Sequence, residues 1–384
     1  MEKQKICIIG GSLTGLVTAI CLSKLNFNID LIVGKSNKNV KSNRTIAISE
    51  HSLNFLNKLN ISKSLKKEIW PCSAMKLYAE VKKEDFLELF ELNKDKKILH
   101  MMKNKKIIQL MFNKIKKIKS ISVKNNEKVY EITNVGLLKT VKFKKKINKY
   151  NLVIICTGNN SSLVKNIFEN RVIENSYEES AITTILKHDS IKNQTARQIF
   201  LNDAVLALLP ISNIETSIVW SVKKAVSQKN KLYIKNKIKF YAKNYLNNIK
   251  FIEKIEHNEL NLLIRKNYYK DRVLLFGDAL HRVHPLAGQG FNMIIRDLII
   301  LENTLKKNIT LGLDIGNENV LYEFTKVTKS RNLIYSLGID FLKNFFSIKE
   351  KNFLHFRNKI ITTLNKNNEA KDIFFNLANK GCEF

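Results

Sequence analysis

Residues 273–297 read VLLFGDALHRVHPLAGQGFNMIIRD, and the order of residue types in this stretch sets the fold. Residues 273–276 are a short unbroken apolar run, the pattern of a strand covered on both faces in a parallel sheet. Gly277 and Asp278 stop that run, and Pro285 and a glycine-rich loop follow before a helical pattern begins. A carboxylate at the end of such a strand can accept hydrogen bonds from hydroxyls, which makes Asp278 a candidate ligand-binding group. The loop Ala287, Gly288, Gln289, Gly290, Phe291 and Asn292 opens the helix. Its amides, with the positive end of the helix dipole, can hold negative charge.

The same grammar opens the chain. Residues 4–10, QKICIIG, form an apolar run ended by glycine; apolar residues Leu16, Ala19, Ile20 and Leu22 then recur at helical spacing, and residues 29–33 are again strand-like. This is a βαβ unit. Its turn, Gly10, Gly11, Ser12, Leu13, Thr14 and Gly15, stands where a backbone can approach a pyrophosphate closely; a plain βα turn is the alternative. Ser12 occupies the place of the middle glycine of GxGxxG. The second strand ends Asp30-Leu31-Ile32-Val33-Gly34, so no acidic residue closes it to hold a ribose, and Asp30 lies inside the strand.

Around position 280 the chain resembles the flavoprotein monooxygenases of the para-hydroxybenzoate hydroxylase type, most closely their ubiquinone-biosynthesis hydroxylase branch, whose signature runs GDAAHxxxPxxGQGxNxxxxD. Gly277, Asp278, Ala279, His281, Pro285, Gly288, Gln289, Gly290, Asn292 and Asp297 match it. The resemblance implies an α/β chain, α+β overall: a Rossmann-like FAD-binding fold, an inserted mostly antiparallel substrate sheet and a C-terminal helical segment. It implies FAD as cofactor, bound by the Gly10–Gly15 turn, by Gly277, Asp278 and Pro285, and by the 287–292 loop. Arg44, in RTIAIS, is similar to the family's arginine after the second strand and would face the flavin; a surface arginine is the alternative. Cys156-Thr157-Gly158 falls where the family carries an Asp-Gly pair, and the aspartate is missing. In this family reduced flavin reacts with O2 to give a C4a-hydroperoxide, which transfers oxygen to a phenolic ring; NADH or NADPH would be the transient electron donor.

The remaining pattern divides the chain into 1–76, 96–170 and 265–325 as the cofactor unit, 77–95 and 171–264 as the sheet unit, and 326–384 as amphipathic helices. AITTILKH, ARQIFL, AVLALLPI and TSIVWSV, between residues 177 and 225, read as antiparallel strands, and residues 98–121 as a Lys-rich helix. The ring substrate is expected against Leu208, Leu209 and Pro210. No Ser/His/Asp, Cys/His or paired-carboxylate constellation is evident, so the catalytic side chain is unknown. His281 and His284 read as packing groups, because no Cys/His cluster has metal-ligand spacing and no metal is expected.

Composition bounds the rest. The chain has 384 residues and 44% hydrophobic residues, enough for a large core, and a mean hydropathy of -0.19 without a membrane-length apolar run. Five scattered cysteines without a CxxC pair read as reduced, mostly structural thiols. The formal charge of +32 comes from 66 basic residues that are mostly Lys, spread along the whole chain rather than gathered into a stripe, so no nucleic-acid partner is expected. Ile334, Leu337, Phe341 and Phe345 share one helical face, as do Phe353, Phe356, Ile360 and Leu364. These faces suit either core packing or a lipid surface. The expected partners are therefore a hydrophobic prenylated aromatic substrate, O2, a membrane surface and other quinone-biosynthesis proteins. The expected location is cytoplasmic, peripheral on the inner face of the membrane. A catalytically degenerate flavin-binding subunit is the rival reading.

Overall fold

The computed structural model describes residues 3–34, 42–61, 65, 68–82, 85–93, 97–158, 162–168, 172–348 and 350–381. The chain opens as its pattern requires: β1 (Lys5–Ile9), α1 (Leu13–Leu22) and β2 (Asn28–Val33). After β3 (Thr45–Ser49) comes α2 (Glu50–Lys58), whose first turn is capped by the Ser49 side chain accepting from the Ser52 amide. β4 (Trp70–Cys72), β5 (Ala74–Lys82) and β6 (Asp85–Asn93) precede β7 (Leu99–Lys103), α3 (Asn104–Ile115) and β8 (Ile121–Asn125). The helix expected over 98–121 is therefore shorter, because residues 99–103 form a strand that pairs with β3 and β4.

β9 (Glu131–Val135), β10 (Leu138–Lys142) and β11 (Ile147–Tyr150) form a small antiparallel sheet before β12 (Leu152–Ile155) and α4 (Ser162–Ile167). The four antiparallel runs are β13 (Val172–Lys187), β14 (Thr195–Leu201), β15 (Ala204–Pro210) and β16 (Glu215–Lys223). They are followed by α5 (Lys224–Ser227), α6 (Lys231–Ala242), β17 (Lys250–Phe251), β18 (Glu256–Arg265), β19 (Tyr269–Lys270), β20 (Val273–Leu275) and β21 (His281–Arg282). The C-terminal part is helical: α7 (Gly290–Thr310), α8 (Glu318–Ser347), α9 (Lys351–Lys366) and α10 (Asn368–Lys380).

Two sheets organise these elements. One has the order β19-β20-β12-β1-β2-β8, parallel except at β19, and its central strands β20, β12, β1 and β2 are largely buried among α1, α3 and α7, whereas the edge strands β19 and β8 are partly exposed. The other runs β21-β18-β13-β16-β15-β14-β5-β6, with β17 on β13, and is antiparallel except between β14 and β5. Ile182, Leu206, Leu208, Ile218 and Trp220 project from one of its faces onto α6. On its opposite face Ala79, Leu89 and Phe200 cluster with Leu286 and with Ile339 and Phe346 of α8. Cys7, Cys21, Cys72 and Cys156 are free and buried, and burial pushes the Cys72 and Cys156 thiols up to about 12, which makes them inert packing groups. Cys382 lies outside the described residues.

Candidate functional site

The turn after β1 is built by close backbone approach. A Cβ on Gly15 would lie 1.9 Å from the Gly10 carbonyl oxygen, so only glycine lets α1 start this near to β1. Ser12 is the N-cap of α1, yet its hydroxyl donates to the Cys156 carbonyl at 3.3 Å and leaves the first-turn amides without a side-chain cap. The first helical bond, from Leu16 N–H to Ser12 O, leaves the preceding amides free to meet a ligand. α7 likewise begins at Gly290 without a side-chain cap.

These two helix starts belong to one place. Gly277 has φ +64°, and a Cβ there would lie 2.5 Å from Thr14 Cγ2, so the strand end around 277 rests directly on the first turn of α1. The loop closes on the neighbouring strand in the same way, since a Cβ on Gly288 would lie 2.7 Å from Ala47 Cβ. A cleft of about 1230 Å³ lies over this junction, and Gly11, Ser12, Leu13, Thr14, Arg44, Asp278, Pro285, Gly288, Gly290 and Phe291 line it. Segments more than 260 residues apart in sequence thus face one cavity.

The other expected residues stand elsewhere. Gly10, Gly15 and Gly277 shape the turns without lining the cavity. Asn292 is fully buried; its Oδ1 accepts the Ser49 amide at 3.0 Å and its Nδ2 donates to the Ala47 carbonyl at 3.1 Å, so it clamps β3 to α7 rather than lining the cleft. Gln289 is also buried, accepting from the Tyr335 hydroxyl at 2.8 Å. Ala287 lies in the single turn Leu286–Gly288. Leu208 needs correction: side chains alternate along β15, and Leu208 points to α6, away from the cleft. Leu209 packs instead against a buried cluster that includes Ala47, Leu92, Met101 and Ala196, and Pro210 is buried at the strand end. Ala181, Thr183 and Val219 of the adjoining strands β13 and β16 face the cavity in their place.

His281 proves to be a structural group. Its Nε2 lies 2.8 Å from Asp297 Oδ2, and Asn332 donates to both oxygens of that carboxylate, so two motif residues brace α7 from within. Asp30 is equally occupied: it accepts from the Tyr150 hydroxyl at 2.8 Å and pairs with Lys5 at 3.1 Å. It is committed to the interior of the parallel sheet and cannot reach a ligand. At Val33 the cleft wall is apolar, and the polar groups nearest in register come from Asn125 of β8.

Lys105, Gln109 and Asn113 on α3, Lys116 at its C-terminal cap and Asn258 on β18 also line the cleft and were missed in the sequence. The α3 residues sit at intervals of three and four, one face of a helix, but a Lys/Asn-rich surface helix shows the same pattern. Arg44 is fixed at the rim by donating to Asn258 Oδ1 at 2.7 Å. Uncapped helix amides, basic residues and an exposed strand-end carboxylate form a donor set that suits a dinucleotide carrying a pyrophosphate and hydroxyls. Among the described residues no His, Cys, Asp and Glu group could hold a metal.

Known proteins resemble this chain in sequence and in fold. The chain is 26% identical over 268 residues to the ubiquinone biosynthesis monooxygenase COQ6, mitochondrial, of Xenopus tropicalis, covering 60% of this chain and 57% of that protein. It is 27% identical over 175 residues to the ubiquinone hydroxylase UbiL of Rhodospirillum rubrum, covering 44% and 41%. The chain thus spans about half the length of these relatives. The crystal structure of p-nitrophenol 4-monooxygenase PnpA from Pseudomonas putida DLL-E4 superposes with a TM-score of 0.81 over 100% of both chains at 14% identity, which shows a common fold. Residues 3–310, running through both glycine segments and the sheet between them, match the FAD binding domain model, and the chain belongs to that family.

Proposed function

We infer that this protein is an FAD-dependent monooxygenase hydroxylating the aromatic ring of a prenylated phenolic ubiquinone precursor. The observation that carries this reading is the single cleft lined by the Ser12–Thr14 turn, by Asp278 and by Gly288 and Gly290, with the face of the large sheet opposite. On this reading the α1 amides hold the pyrophosphate, the Asp278 carboxylate accepts from ribityl hydroxyls, and the N-terminus of α7 stabilises negative charge on the pyrimidine edge of the flavin. The flavin, once bound and reduced by NADH or NADPH, supplies the activation of O2. The chain's own residues orient the ring and exclude water. Ala181, Thr183 and Val219 offer a largely apolar wall for an aromatic group, and the 285–290 loop faces them. The 77–95 and 171–264 segments would then form the substrate-binding unit, with residues 1–76, 96–170 and 265–325 as the cofactor unit.

The relatives' printed names support the substrate class, since one is a ubiquinone biosynthesis monooxygenase and the other a ubiquinone hydroxylase. Exposed Ile334, Leu337 and Phe341 on α8, beside a strongly cationic chain, support docking on an anionic membrane surface where a prenylated precursor resides. No described helix is long and apolar enough to cross a membrane. The decisive assay incubates FAD-loaded protein with NADH or NADPH, O2 and a prenylated phenol, and follows the product by mass spectrometry. A gain of one oxygen atom on the ring is expected. Flavin retention without oxygen insertion would favour a catalytically degenerate flavin-binding subunit, a reading motivated by Ser12, Val33 and Thr157.

A further inference from the structure

His284, directly before Pro285, lines the cleft and is 1% exposed, yet the mechanism above gives it no task. Its Nε2 lies 3.4 Å from Glu179 Oε2, and the other oxygen of that carboxylate lies 3.0 Å from Lys343 Nζ. The Tyr177 ring stands edge-on to the imidazole with centroids 5.4 Å apart, and Lys343 sits over the Tyr177 ring at 4.7 Å. The imidazole is thus held from two elements, β13 and α8. Its Nδ1 is buried without a hydrogen-bond partner among the described residues. A carboxylate facing Nε2 makes that nitrogen the donor, which leaves the lone pair of a neutral imidazole on Nδ1. Burial pushes Glu179 up, but hydrogen bonds from His284 and Lys343 outweigh it and hold the group below its ordinary 4.5, so the carboxylate stays charged behind the ring. Arg282 and Glu259 are the other charged groups of this part of the cleft wall, and Asp340 lies beside the Tyr177 hydroxyl.

We propose that His284 is the general base that ionises the phenolic hydroxyl of the ring substrate, with Glu179 and Lys343 as positioning residues behind it. This rests on the functional reading above and adds to it the catalytic side chain that the sequence left unknown. In the step, the phenol O–H bond breaks, its proton passes to His284 Nδ1 and its electron pair stays on oxygen; nothing is oxidised or reduced. The imidazolium keeps its Nε2–H on Glu179, and Lys343 keeps that carboxylate balanced before the transfer. The phenolate enriches the ring carbons ortho and para to oxygen, which are the positions that an electrophilic oxygen atom attacks.

The probe is 4-nitrophenol, whose ionised form absorbs visible light and so reports its own protonation when mixed with the FAD-loaded protein. Bound to the unmodified chain it should remain ionised to a pH about one unit lower than in buffer, a roughly tenfold shift in favour of phenolate. His284→Asn should return the bound probe to its behaviour in buffer while the flavin is retained. Glu179→Gln, which keeps the imidazole but removes the charge behind it, should fall between the two and decides the matter if the His284 variant loses flavin. Identical titration of the probe in the unmodified chain and both variants, or no spectral change on mixing, would overturn the base. Ring hydroxylation that proceeds while the probe titrates identically in every protein would sink His284 and leave the hydroxylase standing; the expected ionisation pattern without oxygen insertion would do the reverse.

Discussion

Gly15 and Asp30 show how differently two residues of one βαβ unit can serve a cofactor site. Gly15 has no room for a methyl group against the Gly10 carbonyl, so Gly15→Ala should push α1 off β1, costing about 1–3 kcal/mol and weakening FAD binding, as chemical denaturation and flavin fluorescence titration would show. Asp30 is spent on Tyr150 and Lys5. Asp30→Asn should therefore lower stability by about 1–3 kcal/mol with flavin affinity unchanged; a matching loss of affinity would return Asp30 to the ribose site. Glu179 sets a pH dependence of known sign. Its folded-state pKa is depressed, so its contribution to stability is complete above its ordinary 4.5 and is lost as pH falls from there through the folded value. Melting curves between pH 7 and 3 should show Glu179→Gln less stable than the unmodified chain at neutral pH and converging with it in acid.

At the level of elements, the legible parts were those whose pattern permits one reading. β1, β12 and β20 are unbroken apolar runs ended by a turn, and α1 between β1 and β2 could pack in only one sense, so the parallel sheet was readable. β15 was readable as a strand but not as a surface. Its residues 204–210 are all apolar, so alternation could not say which side chains face the cleft, and only the docking of α6 assigns Leu208 to the far face. β7 was hidden for a related reason: Leu99, Met101 and Met102 suit a helix, and only pairing with β3 and β4 makes them a strand. Asn292 was legible as a motif position but not as a clamp, because its partners Ser49 and Ala47 are more than 240 residues away. Leu208→Ala should cost about 2–5 kcal/mol by denaturant unfolding and leave flavin affinity intact. A selective loss of flavin or phenol binding would show that the strand faces the other way.

Over the whole molecule, charge and shape combine on the C-terminal helices. Phe341 is 64% exposed and Leu337 45% exposed, whereas Phe345 turns inward onto Phe353, so the apolar face read from the sequence is only partly open. With a net charge of +32, that open part should bind phosphatidylglycerol vesicles in preference to phosphatidylcholine vesicles. The preference should weaken as salt rises, and Leu337→Ser with Phe341→Ser should reduce binding by about 10-fold or more. Equal sedimentation with both lipids would remove the membrane from the account. The central claim is that one ligand joins the two ends of the matched segment, and a crystal structure of the FAD-loaded protein tests it most directly. One FAD molecule is expected with its pyrophosphate on the 10–15 turn, its ribityl chain beside Asp278 and its ring against the 285–290 loop. Flavin bound away from either segment, or none bound at saturating FAD, would contradict it.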